Sequence, residues 1–263
     1  MLQSVLYNQG NHKPTIAAIP ALGERKEIYE SLAGNLKEFQ LLAIDLPGHN
    51  DEASKDFSIE TYIEELKRLL AELSISEVHL IGNSIGAWII QHFYKNFPEI
   101  VLSITLLDGG HYFIGDYSDG EDEEIELPVV EKLEDLQRAI QEQAEAMDMP
   151  AFMKEKFTAY LLGNFINRDG VYVHHSDAVA VNVLSKAVTK TNYCLKEESG
   201  VPLLLLLADE DKEESEAEKI EDFLLSHKKA TIKQIPNSHH LLPITNPAYV
   251  SVHFMELVRP LKQ

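Results

Sequence analysis

Short apolar runs recur along the chain, separated by longer stretches in which apolar residues return every three or four positions. The runs are Thr15–Pro20, Gln40–Asp45, Glu77–Gly82, Ile100–Asp108, Val201–Ala208 and Ala230–Pro236. Several are apolar throughout, as strands buried on both faces of a parallel sheet must be. The stretches between them predict helices over Glu27–Glu38, Ser58–Leu73, Ile85–Asn96, Lys212–His227 and Pro247–Val258. In the second of these, Ile59, Tyr62, Ile63, Leu66, Leu69, Leu70 and Leu73 form one apolar stripe between charged positions. Strand–helix alternation of this kind predicts an α/β fold, a mostly parallel central sheet with helices on both faces.

The alternation breaks once, between His111 and Tyr193. An acidic stretch, Asp116 to Glu126, reads as a solvated loop or helix edge. Helical patterns follow over Val129–Met147, Ala151–Leu162 and Asp177–Lys190. The expected organisation is a core of residues 1–110 and 194–263, with residues 111–193 as a helical cap inserted before the last two strands.

Composition narrows the function. Over 263 residues, 43 Asp and Glu face 23 Lys and Arg, a formal charge of −20. Phosphate backbones and anionic membranes would be repelled, so a nucleic-acid partner is not expected. The single cysteine, Cys194, excludes an internal disulfide framework and a Cys-rich zinc site. The N-terminal stretch lacks the basic and apolar regions of a signal peptide. Leu203–Ala208, the longest apolar run, is far shorter than the roughly 20 residues a membrane-spanning helix needs. A soluble, cytoplasmic protein is the expectation. The histidines outside His239-His240, including His174-His175, read as surface or loop residues and make no metal-ligand pattern.

One motif carries chemistry. The run Glu77–Gly82 passes directly into Gly82-Asn83-Ser84-Ile85-Gly86 and then into an apolar helix. A Gly-x-Ser-x-Gly turn between strand and helix holds its serine in a strained conformation with the hydroxyl exposed, and flanking side chains would clash. Ser84 is therefore the candidate nucleophile. A serine hydroxyl is weak until a base takes its proton, and that base needs an orienting carboxylate.

With this turn in that setting, the chain resembles the α/β-hydrolase fold superfamily over nearly all of its length, in particular its cap-bearing serine esterase and lipase-like members. The resemblance implies the chain order Ser, acid, His. Ile235-Pro236-Asn237-Ser238-His239-His240 is similar to the family's final-strand segment and puts His240 on the base position, with His239, where glycine is usual, as the alternative in the neighbouring register. For the acid, the family's spacing after Val201–Ala208 favours Asp211, with Asp209 beside it. Asp108, at the end of Ile100–Asp108, is the other candidate, since some members take the acid from the strand before the cap. The resemblance also assigns the oxyanion donors to two backbone N–H groups, that of Ile85 and that of Leu22 in Pro20-Ala21-Leu22-Gly23. Asp45-Leu46-Pro47-Gly48-His49 is similar to the family's Asp-x-Pro-Gly-His turn, which implies that Asp45 and His49 brace the oxyanion turn. Trp88 reads as packed against the sheet.

The substrate pocket is expected between Ser84 and the insertion, lined by Leu22, Ile85, His111, Tyr112, Phe113, Phe152, Phe157 and Tyr160. A mostly apolar wall with few polar groups suits a small-molecule acyl substrate. The implied activity is ester or related acyl hydrolysis through an acyl-enzyme, with no metal or organic cofactor. Two other readings use the same residues: C–C bond hydrolysis, elimination, thioester hydrolysis or cofactor-free peroxidation on the same triad, and a small-molecule receptor that retains vestigial hydrolase activity. Acyl-chain length and oligomeric state are left open.

Overall fold

The computed structural model describes residues 2–10, 13–50, 56–117, 124–209 and 216–259. Five strands come first: β1 (Ser4–Tyr7), β2 (Thr15–Ile19), β3 (Gln40–Ile44), β4 (Val78–Asn83) and β5 (Val101–Leu107). Three short ones, β6 (Val129–Val130), β7 (Phe165–Arg168) and β8 (Val171–His174), lie apart from the main sheet. β9 (Leu203–Ala208) and β10 (Thr231–Ile235) return to it. The main sheet runs β1-β3-β2-β4-β5-β9-β10, parallel throughout except for β1, which pairs antiparallel with β3 at one edge.

The apolar runs of the inner strands are buried on both sides, whereas β10, at the edge, is largely exposed. Ala17, Ile19, Leu42 and Ile44 face one core, and Ile16, Ala18, Leu41 and Ala43 face the other. The first core is closed by α2 (Ile59–Glu72), α3 (Ile85–Asn96), α6 (Ala178–Lys190) and Phe223 of α7 (Glu216–Ser226). The second is closed by α1 (Glu30–Asn35), α5 (Ala151–Leu162), α8 (Leu242–Thr245) and α9 (Pro247–Val258). In α2 the predicted stripe is buried from Ile59 to Leu70, while Leu73 is 42% exposed beyond the helix end. The Ser58 side chain caps the start of α2 by accepting from the Thr61 N–H at 3.3 Å.

The chain leaves β2 for β3 on one side and then returns past β2 to reach β4 on the other. This reversal opens the crevice beyond the carboxyl ends of β2 and β4, where ligands bind in open α/β sheets.

Between β5 and β9 the chain builds α4 (Leu133–Ala146), α5 and α6, close to the helical patterns in the sequence. It also builds what a purely helical insertion omits, the antiparallel sheet β6-β8-β7. Its hairpin turns at Asp169-Gly170, with φ of 51° and 91°. Positive φ at both central residues is the tight hairpin geometry that Asp-Gly favours, and β-branched residues flank it on both strands. β1, a short edge strand of only four residues, is likewise absent from the pattern-based reading. Among the described residues no helix is long and apolar enough to cross a membrane.

Candidate active site

Ser84 stands between the end of β4 and the start of α3 with φ 52° and ψ −121°. This conformation is uncommon for a side-chain-bearing residue and marks a sharp turn. The glycines make it possible. A Cβ on Gly86 would lie 2.3 Å from the Ile19 carbonyl oxygen, and one on Gly82 would lie 2.3 Å from that of Gly86. The elbow is pinned to the next strand by the Ser84 N–H, which donates to the Leu107 carbonyl at 2.9 Å.

One residue beyond Leu107, Asp108 is also in the left-handed region, at φ 46°. Its N–H donates to Leu206 at 2.8 Å, and its carboxylate then faces two donors. Oδ1 accepts from the Ala208 N–H at 2.8 Å, and Oδ2 lies 2.7 Å from Nδ1 of His240. Asp108 is buried to about a tenth of its exposed surface, 10%, whereas the His240 side chain is 45% exposed. Ser84 adjoins the same turn: a Cβ on Gly109 would sit 2.9 Å from the Ser84 Cα. Asn83 ties the pieces together. Fully buried, its Nδ2 donates to Leu107 O and His240 O, each at 3.0 Å. The structure thus brings Ser84, Asp108 and His240 to the carboxyl edge of the sheet, after β4, β5 and β10.

The other acid candidates are placed differently. Asp209 is exposed, and its Oδ1 accepts from Gln234 Nε2 at 2.6 Å. Asp211 lies outside the described residues. The carboxylate that the structure sets against His240 Nδ1 is Asp108, the candidate from the strand before the inserted segment. His239 precedes it in the same loop, and its carbonyl accepts from Thr245 Oγ1 at 3.3 Å.

Leu22 sits in a turn closed by the Glu24 N–H donating to Ala21 O at 3.1 Å, with Gly23 at φ 79°. That φ at the third position is the signature of a type II turn, and it leaves the N–H of the second residue, Leu22, outside the turn's own hydrogen bond. Ile85 begins α3, where the first N–H groups have no partner within the helix. Gly86 packed on Ile19 and Pro20 holds this helix start against the Leu22 turn.

His49 and Asp45 brace that turn. The His49 Nδ1–H donates to Pro47 O at 3.0 Å, which leaves Nε2 to accept the Gly23 N–H at 2.9 Å. Asp45 accepts from the Lys26 N–H at 2.6 Å, from Lys26 Nζ at 2.7 Å and from Asn50. Burial lowers the His49 imidazole to about 4, so it is neutral near pH 7. From the inserted segment, His175 Nε2 donates to Gly23 O at 3.0 Å, and His174 packs on it with ring centroids 4.7 Å apart. Burial lowers His174 to about 4 and His175 to about 3. Glu24 accepts from Tyr160 Oη at 2.7 Å and Asn164 Nδ2 at 2.9 Å. Burial raises its carboxyl above the usual range despite these donors.

The remaining histidines are expected on surfaces or in loops; His49, His111, His175 and His227 do stand between helices and strands, though buried, whereas His79 lies within β4. His49, His79, His111, His175 and His227 are buried. Those outside the Leu22 turn bond to a nearby oxygen: His79 to Ser103 Oγ, His111 to Glu216, His227 to Leu195 O. Hydrogen bonding makes an imidazole acceptable in a core, a property that hydropathy patterns do not register.

The expected pocket residues do not all converge. Tyr160 reaches Glu24, next to the Leu22 turn. Phe157 is 1% exposed within the second core. Phe152 is 61% exposed and borders an outer groove with Lys156 and Tyr249. His111, Tyr112 and Phe113 line a separate cavity of about 350 Å³ with Cys194, Lys219 and His227. Trp88 is buried and donates to Tyr112 O at 2.8 Å, as a packed residue should. Burial raises the Cys194 thiol to about 12. Among the described residues no three His, Cys, Asp or Glu side chains converge as a metal-ligand set. Asn83 and the His175–Gly23 contact are the features the sequence reading missed. The first stands inside the serine motif and the second carries no local signal.

Comparison with known proteins agrees with this fold. Residues 14–247 match the sequence profile of the alpha/beta hydrolase fold. An uncharacterized protein of Mycobacterium tuberculosis is 29% identical over 100 residues, 37% of this chain and 29% of that one, so the match spans under a third of the relative's length. Among solved structures, an E-2-(acetamidomethylene)succinate hydrolase superposes with a TM-score of 0.78 at 14% identity, covering 98% of this chain and 99% of that one. A thioesterase domain from the curacin biosynthetic pathway gives 0.71 at 16% identity, covering 96% and 94%.

Proposed function

The chain belongs to the α/β-hydrolase fold family, and from that premise we propose that it is a serine hydrolase that cleaves a carboxylic ester or related small acyl substrate. The observation that carries the reading is the 2.7 Å contact between Asp108 Oδ2 and His240 Nδ1, beside the strained Ser84 elbow. Asp108 takes the role of orienting acid. Its carboxylate holds the proton on Nδ1, leaving Nε2 as the base for the Ser84 hydroxyl.

Ser84 Oγ attacks the acyl carbon while His240 takes its proton, and Asp108 stabilises the imidazolium that forms. The N–H groups of Leu22 and Ile85 receive the oxyanion, each worth roughly 3–4 kcal/mol in a reaction of this type. The tetrahedral species collapses, and His240 returns the proton to the departing alkoxide. Water, deprotonated by the same imidazole, then releases the acid from Ser84. The segment 111–193 acts as the cap over this crevice, and Tyr160 belongs to its site-facing side. No step draws on a metal or organic cofactor.

The test is labelling with a fluorophosphonate, followed by a panel of esters and thioesters of graded acyl length. The wild-type chain labels at Ser84 and turns over at least one class, and Ser84→Ala does neither. Full labelling of the alanine variant would refute the nucleophile. Labelling without turnover of any acyl substrate would move the activity to another reaction on the same residues.

A further inference from the structure

The Leu22 turn is gripped from two sides by imidazoles that come from different parts of the chain. His49, in the loop after β3, accepts the Gly23 N–H at 2.9 Å. His175, after β8 in the inserted segment, donates to the Gly23 carbonyl at 3.0 Å. These bonds fix the two peptide groups on either side of Gly23. A glycine visits both hands of φ readily, so the shape of this turn depends on the bonds made by the peptides on its two sides. His49 holds the Leu22–Gly23 peptide, whose flip would change the turn type, and His175 holds the Gly23–Glu24 peptide, whose rotation would break the Glu24-to-Ala21 bond that closes the turn around Leu22.

The second grip is itself anchored. His49 and Ser176 pair as an antiparallel bridge, and the Asp177 N–H donates to Gly48 O at 2.8 Å. The loops bearing the two imidazoles are therefore joined main chain to main chain. Downstream, the Arg25 N–H donates to Tyr160 Oη at 3.0 Å, and the Arg25 guanidinium donates to Asn164 Oδ1 at 2.8 Å and Tyr160 O at 3.0 Å. Residues 23–25 are thus held by the inserted segment at several consecutive points.

Resting on the serine-hydrolase reading above, we propose that His175 is a positioning residue that aims the Leu22 N–H at the oxyanion. The inserted segment is then part of the catalytic apparatus as well as a cover. Seating it completes the oxyanion hole, and a displaced segment leaves the Ser84 elbow intact but one donor misaimed. A bond that served packing alone would affect stability and leave transition-state binding untouched.

The experiment uses the full chain and a chromogenic short-chain ester. His175→Gln keeps a donor N–H near the Nε2 position, His175→Phe keeps the ring without a donor, and His175→Ala removes both. Removing an oxyanion donor outright costs about 10²–10³ in kcat, so a donor left in place but misaimed should cost roughly 10- to 100-fold. The expected result is that loss in kcat for the phenylalanine and alanine variants, with KM close to wild type and kcat recovered in the glutamine variant. Affinity for a trifluoromethyl ketone, whose adduct places an oxyanion in the hole, falls in step with kcat. A folded alanine or phenylalanine variant with wild-type kcat overturns the proposal. So does a glutamine variant that restores thermal stability without restoring kcat. If the alanine chain does not fold, the phenylalanine and glutamine pair decides by the same criteria. A wild type that neither labels nor turns over strikes the parent reading and this one together, whereas an active wild type with an indifferent His175 strikes only this one.

Discussion

Replacing Asp108 by asparagine tests the assembly at the point where the structure is most specific. The two carboxylate oxygens face different demands: Oδ1 receives the Ala208 N–H at 2.8 Å, and Oδ2 faces His240 Nδ1 at 2.7 Å. An amide has one oxygen and one NH2. Turning the NH2 toward Ala208 would set two donors against each other at hydrogen-bond distance, so the amide oxygen takes that place and the NH2 points at His240. Nδ1 must then accept, which sends the imidazole proton to Nε2, the nitrogen that has to be free to take the serine proton. The shape of the site survives while the tautomer becomes wrong. In the serine-protease template the same substitution lowers kcat about 10⁴-fold, which corresponds to roughly 5 kcal/mol of transition-state stabilisation. The assay is steady-state hydrolysis of the best ester from the panel by Asp108→Asn, Asp209→Asn and Asp211→Asn in parallel. Asp108→Asn should lose about 10⁴ in kcat with KM little changed, while Asp209→Asn stays near wild type. If Asp108→Asn retains activity and Asp211→Asn loses it, the acid is Asp211 and the account of His240 is wrong.

Further predictions concern stability. His49, His174 and His175 are held at about 4, 4 and 3 by burial, against an ordinary value of 6.5. The unfolded chain therefore binds more protons between these values, so stability is full above pH 6.5 and declines as pH falls toward 4. Urea midpoints across that window should rise with pH, and His49→Gln should flatten the slope; a midpoint independent of pH would contradict the burial of these rings. Phe157, buried in the second core, should cost about 3–5 kcal/mol on truncation to alanine, whereas Phe152, largely exposed, should stay within about 0.5 kcal/mol. Equal losses for the two, by chemical denaturation, would mean that the seating of α5 is misjudged. The labelling of Ser84 and the kcat of the His175 variants complete the set.

How much of this was legible beforehand follows from the range of the interactions involved. Five of the six apolar runs became the inner parallel strands because a strand buried on both faces must be largely apolar, and that demand is written locally; the sixth became the edge strand β10. The elbow was legible for a similar reason. Strand, glycine, serine, glycine and helix are contiguous, and the clash that excludes side chains at Gly82 and Gly86 arises within the turn and its neighbouring strand. The Asp-Gly hairpin between β7 and β8 was equally local, and its signal passed unread between two segments assigned to helices.

By itself, then, the sequence determined the layered α/β architecture, the elbow serine, and the loop that supplies His240. Tertiary structure decided the identity of the residues that meet there. Asp108 and Asp209 both end strands of one sheet, and spacing along the chain does not say which carboxylate an imidazole from the loop after β10 will reach. That depends on the lateral order of β5, β9 and β10 and on the left-handed turn at Asp108. The clamp on Gly23 is more distant still, since His49 and His175 are 126 residues apart in a chain of 263. Hydrogen bonds between such segments exist only once the insertion has docked, and no short-range periodicity records them.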